Sequence, residues 1–370
     1  MIVDSHVYCF PPADSVAGHA SAEEHLRFIQ IAYAQHHQPT WRISDRASAS
    51  SHILLDPVLG DPWRLRTGVN FRPDHARGRL IWTVDGEDFT KQFYPPALRN
   101  LEYTADLCVA EMDYAGIDVA LIHTDHMVGR DVKYLAECVR AYPNRLRSMA
   151  PVDEWRVATE LDAVIGEVTA AITVHGLHAI KFIPEYRYMS PRNHGDTWDT
   201  GKYRPFWDAI AALNVPVFFT LGGDQGIVDP REAYLSELKV LMRWMERYPG
   251  VTCSLTHGFP YRIFREGNAL KFPDQIWEPF GNPNLHLEVS FPVRIGDWWD
   301  YPWRETWTAL EQMVQYVGAN RLMWGTDMPF QNRFCTYRQS REFIERHCMF
   351  LSRESQAQIL GGTAARVLGI

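Results

Sequence analysis

Cysteine pairs in the spacings of disulfide frameworks or zinc ribbons are missing from this chain. Its 370 residues include six cysteines (Cys9, Cys108, Cys138, Cys253, Cys335 and Cys348), scattered and with no Cys-x-x-Cys. They read as reduced, mostly buried thiols. Long apolar runs are also missing. None approaches the roughly 20 residues that carry a helix across a bilayer, so no membrane partner is expected. Basic stretches interleaved with aromatics do not occur, and the formal net charge is -8. Nucleic acid is therefore excluded as a partner. The amino terminus shows no basic region followed by an apolar stretch, which implies a cytoplasmic protein. No internal repeat or low-complexity segment stands out. No Gly-x-Gly-x-x-Gly follows the first strand, and this argues against a dinucleotide-binding doubly wound sheet.

What is present is an ordinary globular composition, 46% hydrophobic and 22% charged. The 13 tryptophans and 16 tyrosines are enough to build a core and still line a pocket or an interface. The chain starts with a strand, Ile2 to Tyr8. From about Phe10 to Asn100 it is rich in Pro, Gly, Ser and His and lacks clean helix–strand alternation. There Leu80 to Val84 followed by Asp85-Gly86 signals a hairpin. This region reads as an insertion covering one end of the fold.

From Leu101 the rhythm is regular. Helices are expected over Ala105–Tyr114, Asp131–Ala141, Val157–Val174, Tyr203–Leu213, Ala233–Tyr248 and Thr306–Tyr316. Strands are expected over Asp118–His123, Arg147–Val152, Leu177–Ile183, Pro216–Phe219, Thr252–His257, Leu285–Ser290 and Leu322–Trp324. With the first strand this makes eight strands separated mostly by helices, the pattern of a parallel sheet. Eight such units predict an α/β fold, a (β/α)8 TIM-type barrel occupying 1–370 as one domain, with 10–100 as a cap within it. Ala364 to Leu368 reads as a tail that closes the barrel.

Three segments carry the chemistry. Leu322-Met323-Trp324 runs into Gly325-Thr326-Asp327-Met328-Pro329. A carboxylate at the end of an apolar strand is costly to bury unless it is paired or bound to a metal. In parallel barrels the carboxyl ends of strands are where active sites are assembled. Asp4-Ser5-His6-Val7-Tyr8 and Cys253-Ser254-Leu255-Thr256-His257-Gly258 follow the same logic. Asp327 reads as a ligand or general base rather than a helix cap. His257 reads as a group that polarises a carbonyl or moves a proton, and His6 as a ligand or orienting group.

These motifs in this register resemble the amidohydrolase superfamily, specifically the group of aminocarboxymuconate semialdehyde decarboxylase and the resorcylate-type decarboxylases. The resemblance implies decarboxylation or hydrolysis of a small carboxylate- or amide-bearing substrate. It implies catalytic residues Asp327 and His257 and a metal held by His6, Asp327 and His257. It also implies one divalent ion, zinc before manganese, iron or none. Tyr8 and Thr220 stand where relatives place imidazoles, so the standard binuclear site is expected to be absent. Tyr8, Thr220 and Lys181 become candidate substrate-binding residues. Lys181 reads more simply as a lysine paired with a carboxylate in the barrel mouth. His123, Asp125 and His126 form an alternative ligand set that loop polarity explains equally well, and Glu288 is expected to hold Arg294 or Lys181. The expected assembly is a homo-oligomer. The alternative is a divergent, weakly metallated subunit paired with a homologous chain in a heteromeric non-haem metal hydroxylase.

Overall fold

The computed structural model describes residues 1–56, 65–189, 197–222 and 229–370, without the side chains of 187–189. Part of the expected insertion, 57–64, therefore lies outside the described residues. Eight strands form one parallel sheet in chain order. They are β1 (Val3–Val7), β2 (Val119–Ile122), β3 (Leu146–Ala150), β4 (Ala179–Phe182), β5 (Val217–Phe219), β6 (Cys253–Leu255), β7 (Leu285–Val289) and β8 (Leu322–Trp324). The ring closes just beyond β8, where Asp327 N donates to His6 O and Tyr8 N donates to Met328 O, each at 2.8 Å. This is the (β/α)8 barrel expected from the alternation of elements.

Strand periodicity decides what the barrel encloses. Val3, Val119, Leu121, Met149, Ala179, Phe218 and Met323 pack together with Ala364 and Ala365 of the final helix, Thr363–Leu368. They form the inner plug of the barrel, and the tail closes its floor. Their strand neighbours Ala120, Ile122, Ile180, Phe182, Val217, Phe219 and Leu322 belong to the outer core beneath the helices. Continuing the same alternation toward the carboxyl ends turns His123, Lys181, Thr220 and Glu288 inward.

Two motifs interlock to hold β1 against the turn after β8. The Asp4 carboxylate accepts hydrogen bonds from Thr326 Oγ1 (2.5 Å), Tyr337 OH (2.7 Å), His6 N (2.9 Å) and Thr326 N (3.1 Å). Burial pushes its pKa up to about 7 against the pull of these donors. Gly325 is required where it stands. A Cβ there would meet Ser5 Oγ at 2.9 Å and His6 Cβ at 3.0 Å. Asp4→Ala orphans four buried donors at once and is expected to cost about 3 kcal/mol or more of stability. Chemical denaturation is the check, and an unchanged midpoint would show that the interlock contributes nothing.

Between β1 and β2 the chain forms the helix Ala22–Gln35 and a five-stranded antiparallel sheet. The sheet includes the expected hairpin, Arg79–Val84 paired with Glu87–Lys91 around Asp85 (φ 53°) and Gly86 (φ 81°). The helix was not anticipated, although its start is written in the sequence. Ser21 Oγ accepts from Glu24 N, and Glu24 reaches back to Ala20 N, close to a capping box. The helix expected from Val157 begins instead at Leu161. Ahead of it Arg156 binds Asp153 (2.9 Å), Glu160 (3.0 Å) and Glu167 (2.9 Å), and the chain stays in successive turns.

Candidate active site

Seven side chains from the ends of six strands converge at the barrel mouth. His6 lies on β1, and Tyr8 follows it. His123 follows β2, Lys181 lies on β4, His257 follows β6 and Glu288 lies on β7. Asp327 completes the set after β8. At its centre is a buried stack of imidazoles, with the His6 ring centroid 3.5 Å from that of His123 and 4.4 Å from that of His257. Burial holds all three rings well below the usual histidine pKa, and the neighbouring charge of Lys181 adds to the effect. They are therefore neutral, the state in which an imidazole ligates a metal or accepts a proton.

Glu288 organises this stack. Its Oε2 receives His6 Nδ1 at 2.9 Å and the His257 backbone N–H at 2.7 Å. Its Oε1 lies 3.4 Å from Ser5 Oγ and 3.5 Å from His123 Nε2. Burial raises its pKa to about 8, countered by the His257 N–H and by Lys181. With Nδ1 donating to this carboxylate, His6 Nε2 accepts from the Tyr8 hydroxyl at 3.1 Å and lies 3.4 Å from Asp327 Oδ1. The Tyr8 phenol is held protonated, first by burial and then by the charges of Asp327, Asp125 and Glu288.

Asp327 sits in the left-handed region at φ 63°, as does His257 at φ 61°. Its backbone carbonyl, not its side chain, receives Phe330 N, so the carboxylate is not spent as a cap. Oδ1 faces His6 and lies 3.9 Å from His257 Nδ1. Burial raises the Asp327 pKa to about 7, opposed by Arg333, Lys181 and Arg294.

His6, His257 and Glu288 each offer a ligand atom, all within 4.8 Å of one another. Among the described residues, the Nδ1 of His257 is buried without a hydrogen-bond partner. Two neutral imidazoles, one of them carrying the orphaned nitrogen, and a carboxylate fit a divalent cation, with Asp327 beside them. Glu288 was missed as a candidate donor. Its hydrogen-bond partners are His6, Ser5 and the His257 amide, not Arg294, while Lys181 acts on it only through its charge. The available signal was its place in the alternation of β7, where His286 and Glu288 share the face opposite to Leu285, Leu287 and Val289.

Other expectations are redistributed. Lys181 donates to the Tyr8 hydroxyl at 3.3 Å, so its hydrogen-bond partner is a phenol rather than the carboxylate expected. Asp125, Glu288, Asp327 and Glu154 support its charge from farther away. Thr220 turns to Thr256, with 2.6 Å between the hydroxyls. The His123-Asp125-His126 set is split. His123 joins the central stack, Asp125 accepts from Tyr186 OH and Met127 N, and His126 binds Glu154 at 3.0 Å. Beyond β7, Trp298 packs against Arg262 and Arg265, whose guanidinium carbons each lie 4.4 Å from its ring centroid.

A family model described as amidohydrolase matches residues 36–370. A gamma-resorcylate decarboxylase from Polaromonas sp. is 28% identical over 232 residues, 54% of this chain and 64% of that protein. Another from Rhizobium sp. is 28% identical over 163 residues, 36% of this chain and 46% of that protein. The matched region thus spans less than two thirds of these curated relatives. Among solved structures, a Polaromonas dihydroxybenzoic acid decarboxylase with bound manganese and the inhibitor 2-nitroresorcinol superposes with a TM-score of 0.53 at 19% identity, covering 75% of this chain and 91% of that one. At that identity the likeness is one of fold. The hydroxylase-subunit alternative draws no support from these relatives. Among the described residues, no helix is long and apolar enough to cross a membrane.

Proposed function

The chain belongs to the amidohydrolase family, and we propose that it is a metal-assisted decarboxylase of a small ring-bearing carboxylic acid. The observation that carries this reading is the pairing of a neutral-imidazole donor cluster with an adjacent carboxyl poised near neutrality, Asp327 at about 7. The resorcylate decarboxylases among its relatives support the reaction class.

His6, His257 and Glu288 would hold the divalent ion, zinc or manganese, with Asp327 at its edge. When bound, the ion supplies Lewis-acid polarisation of substrate oxygens. The residues do the rest. As the ring carbon–carboxyl bond breaks, carbon dioxide leaves and the electron pair stays on the ring carbon. Asp327 in its acid form delivers a proton to that carbon and is left as carboxylate. Glu288 fixes the orientation of His6 through Nδ1, and Lys181 with Tyr8 supplies a positive, hydrogen-bonding edge for a phenolic or carboxylate oxygen. The insertion acts as the cap of this mouth. Phe93 and Tyr94 pack on Phe330, three residues beyond Asp327, at ring-centroid distances of 5.1 and 5.6 Å.

The test is to incubate metal-free and zinc- or manganese-reconstituted protein with 2,6-dihydroxybenzoate and a panel of other hydroxybenzoates, following carbon dioxide and the decarboxylated phenol. Metal-dependent release from at least one acid is expected. No release from any of them, or turnover only of lactones or amides by hydrolysis, would overturn the assignment.

A further inference from the structure

The outer wall of the barrel carries a cavity of about 600 Å³ that is lined by none of the seven residues of the mouth. It opens between the helix Ala105–Ala115 and the stretch from Asn332 to Gln339 that follows the Asp327 turn. A cavity of that size takes a small organic molecule. Its lining includes one carboxylate, Glu111, with the rings of Tyr114 and Phe334.

Glu111 is half-buried and poorly answered. Its Oε2 accepts from Tyr103 OH and from Asn332 Nδ2, both at the long distance of 3.3 Å. Among the described residues it has no ion pair, and its Oε1 has no hydrogen bond. Burial raises its pKa, and Asn332 and Tyr103 oppose that rise only in part. A carboxylate drawn part-way out of water costs free energy until a cation or strong donors reach it.

The cations nearby are engaged elsewhere. Arg333 also lines the cavity. Its Nε donates to Phe330 O at 2.9 Å, and its guanidinium carbon lies 5.3 Å from the Phe93 centroid and 5.1 Å from that of Phe334. On the helix Tyr337–Glu342, Arg338 Nε donates to Glu342 at 2.9 Å and Arg341 Nη1 to Ala115 O at 2.6 Å. Leu107, Glu111 and Tyr114 share one face of their helix by spacing. Leu107 is 39% exposed and Tyr114 76% exposed. An unanswered carboxylate therefore stands beside an aromatic and aliphatic edge. That pairing suits a cation with an apolar body, because aromatic faces attract ammonium groups as well.

We propose that this cavity binds an organic ammonium ion with a small aromatic or aliphatic body. Its N–H groups donate to Glu111 Oε1, and its body packs against Tyr114 and Phe334. The site is separate from the barrel mouth and does not rest on the decarboxylase reading. Glu111 joins two segments next to that mouth. Tyr103 pairs through its backbone with Phe10, at 2.8 and 2.9 Å, and Asn332 belongs to the short helix Phe330–Arg333, whose first N–H donates to Asp327 O.

The test is a calorimetric or ligand-observed NMR titration of the full-length, metal-loaded protein at neutral pH. Benzylamine is compared with benzyl alcohol, and 2-phenylethylamine with 2-phenylethanol. Each pair differs in little but the charge. At least one amine is expected to bind about 10-fold or more tightly than its alcohol, the worth of a charge-assisted contact. Glu111→Gln keeps an oxygen for Tyr103 and Asn332 and should bring that ratio toward one. Tyr114→Ala, at an exposed position, should weaken amine binding severalfold without moving the thermal midpoint. Exposed Glu354→Gln should change neither ratio nor affinity. Absence of saturable binding by both amines, equal affinity within both pairs, or a ratio that survives Glu111→Gln would overturn the site. Should Glu111→Gln fail to fold, unchanged amine affinity in Tyr114→Ala would overturn it instead.

Discussion

Asp327→Asn is expected to lower carbon dioxide release by about 10²–10⁴-fold, the range for losing a positioned proton carrier, while the thermal midpoint stays close to wild type. The substitution is well matched to its site. Asparagine tolerates the left-handed backbone better than other uncharged residues of its size, and Asp327 stands at φ 63°. The backbone bonds from Asp327 N to His6 O and from Phe330 N to Asp327 O, both 2.8 Å, need no carboxylate. What disappears is an acid whose pKa near 7 populates both protonation states at neutral pH. Initial rates on whichever acid the wild type turns over, measured beside thermal melts, decide the matter. Turnover within tenfold of wild type would refute the role given to Asp327.

Glu288→Gln is expected to weaken zinc and manganese binding by about 100-fold or more, at or beyond the upper end of what loss of a supporting group costs. The carboxylate serves here both as a donor beside His6 and His257 and as the anchor of each. An amide can still accept from His6 Nδ1 or the His257 N–H through its oxygen. It brings no charge, and its NH2 must face other donors, Ser5 or His123. Competition against a chromophoric chelator measures the change, with Thr220→Val as the control expected to bind normally because Thr220 bonds to Thr256. Unchanged affinity in Glu288→Gln would remove Glu288 from the centre and return the ligand set to His6, His257 and Asp327 alone.

The contrast between these two residues shows how far the linear chain could be read. Asp327 was legible because it breaks an apolar strand at its carboxyl end, where a buried carboxylate needs a reason. Glu288 stands in the middle of Leu285–Val289 and looks at first like one polar residue in an ordinary strand. Its inward aim follows from period-two alternation, but its partner, His6, lies 282 residues away. Nothing local names that partner.

The sequence by itself determined the barrel, its strand positions within a few residues, the hairpin at Asp85-Gly86, and the placing of His6, His257 and Asp327 at strand ends. These are consequences of local periodicity, turn chemistry and the cost of polar groups beside apolar runs, all of which act over a few residues. Tertiary structure alone decided that Asp4 locks Thr326 and Tyr337, that His123 leaves its loop neighbours to stack on His6, that Lys181 meets a phenol, and that Glu288 binds the stack together. Each is a contact between segments far apart in the chain. Its strength depends on burial and on which other partners are within reach, and those are properties of the closed barrel rather than of any stretch of sequence.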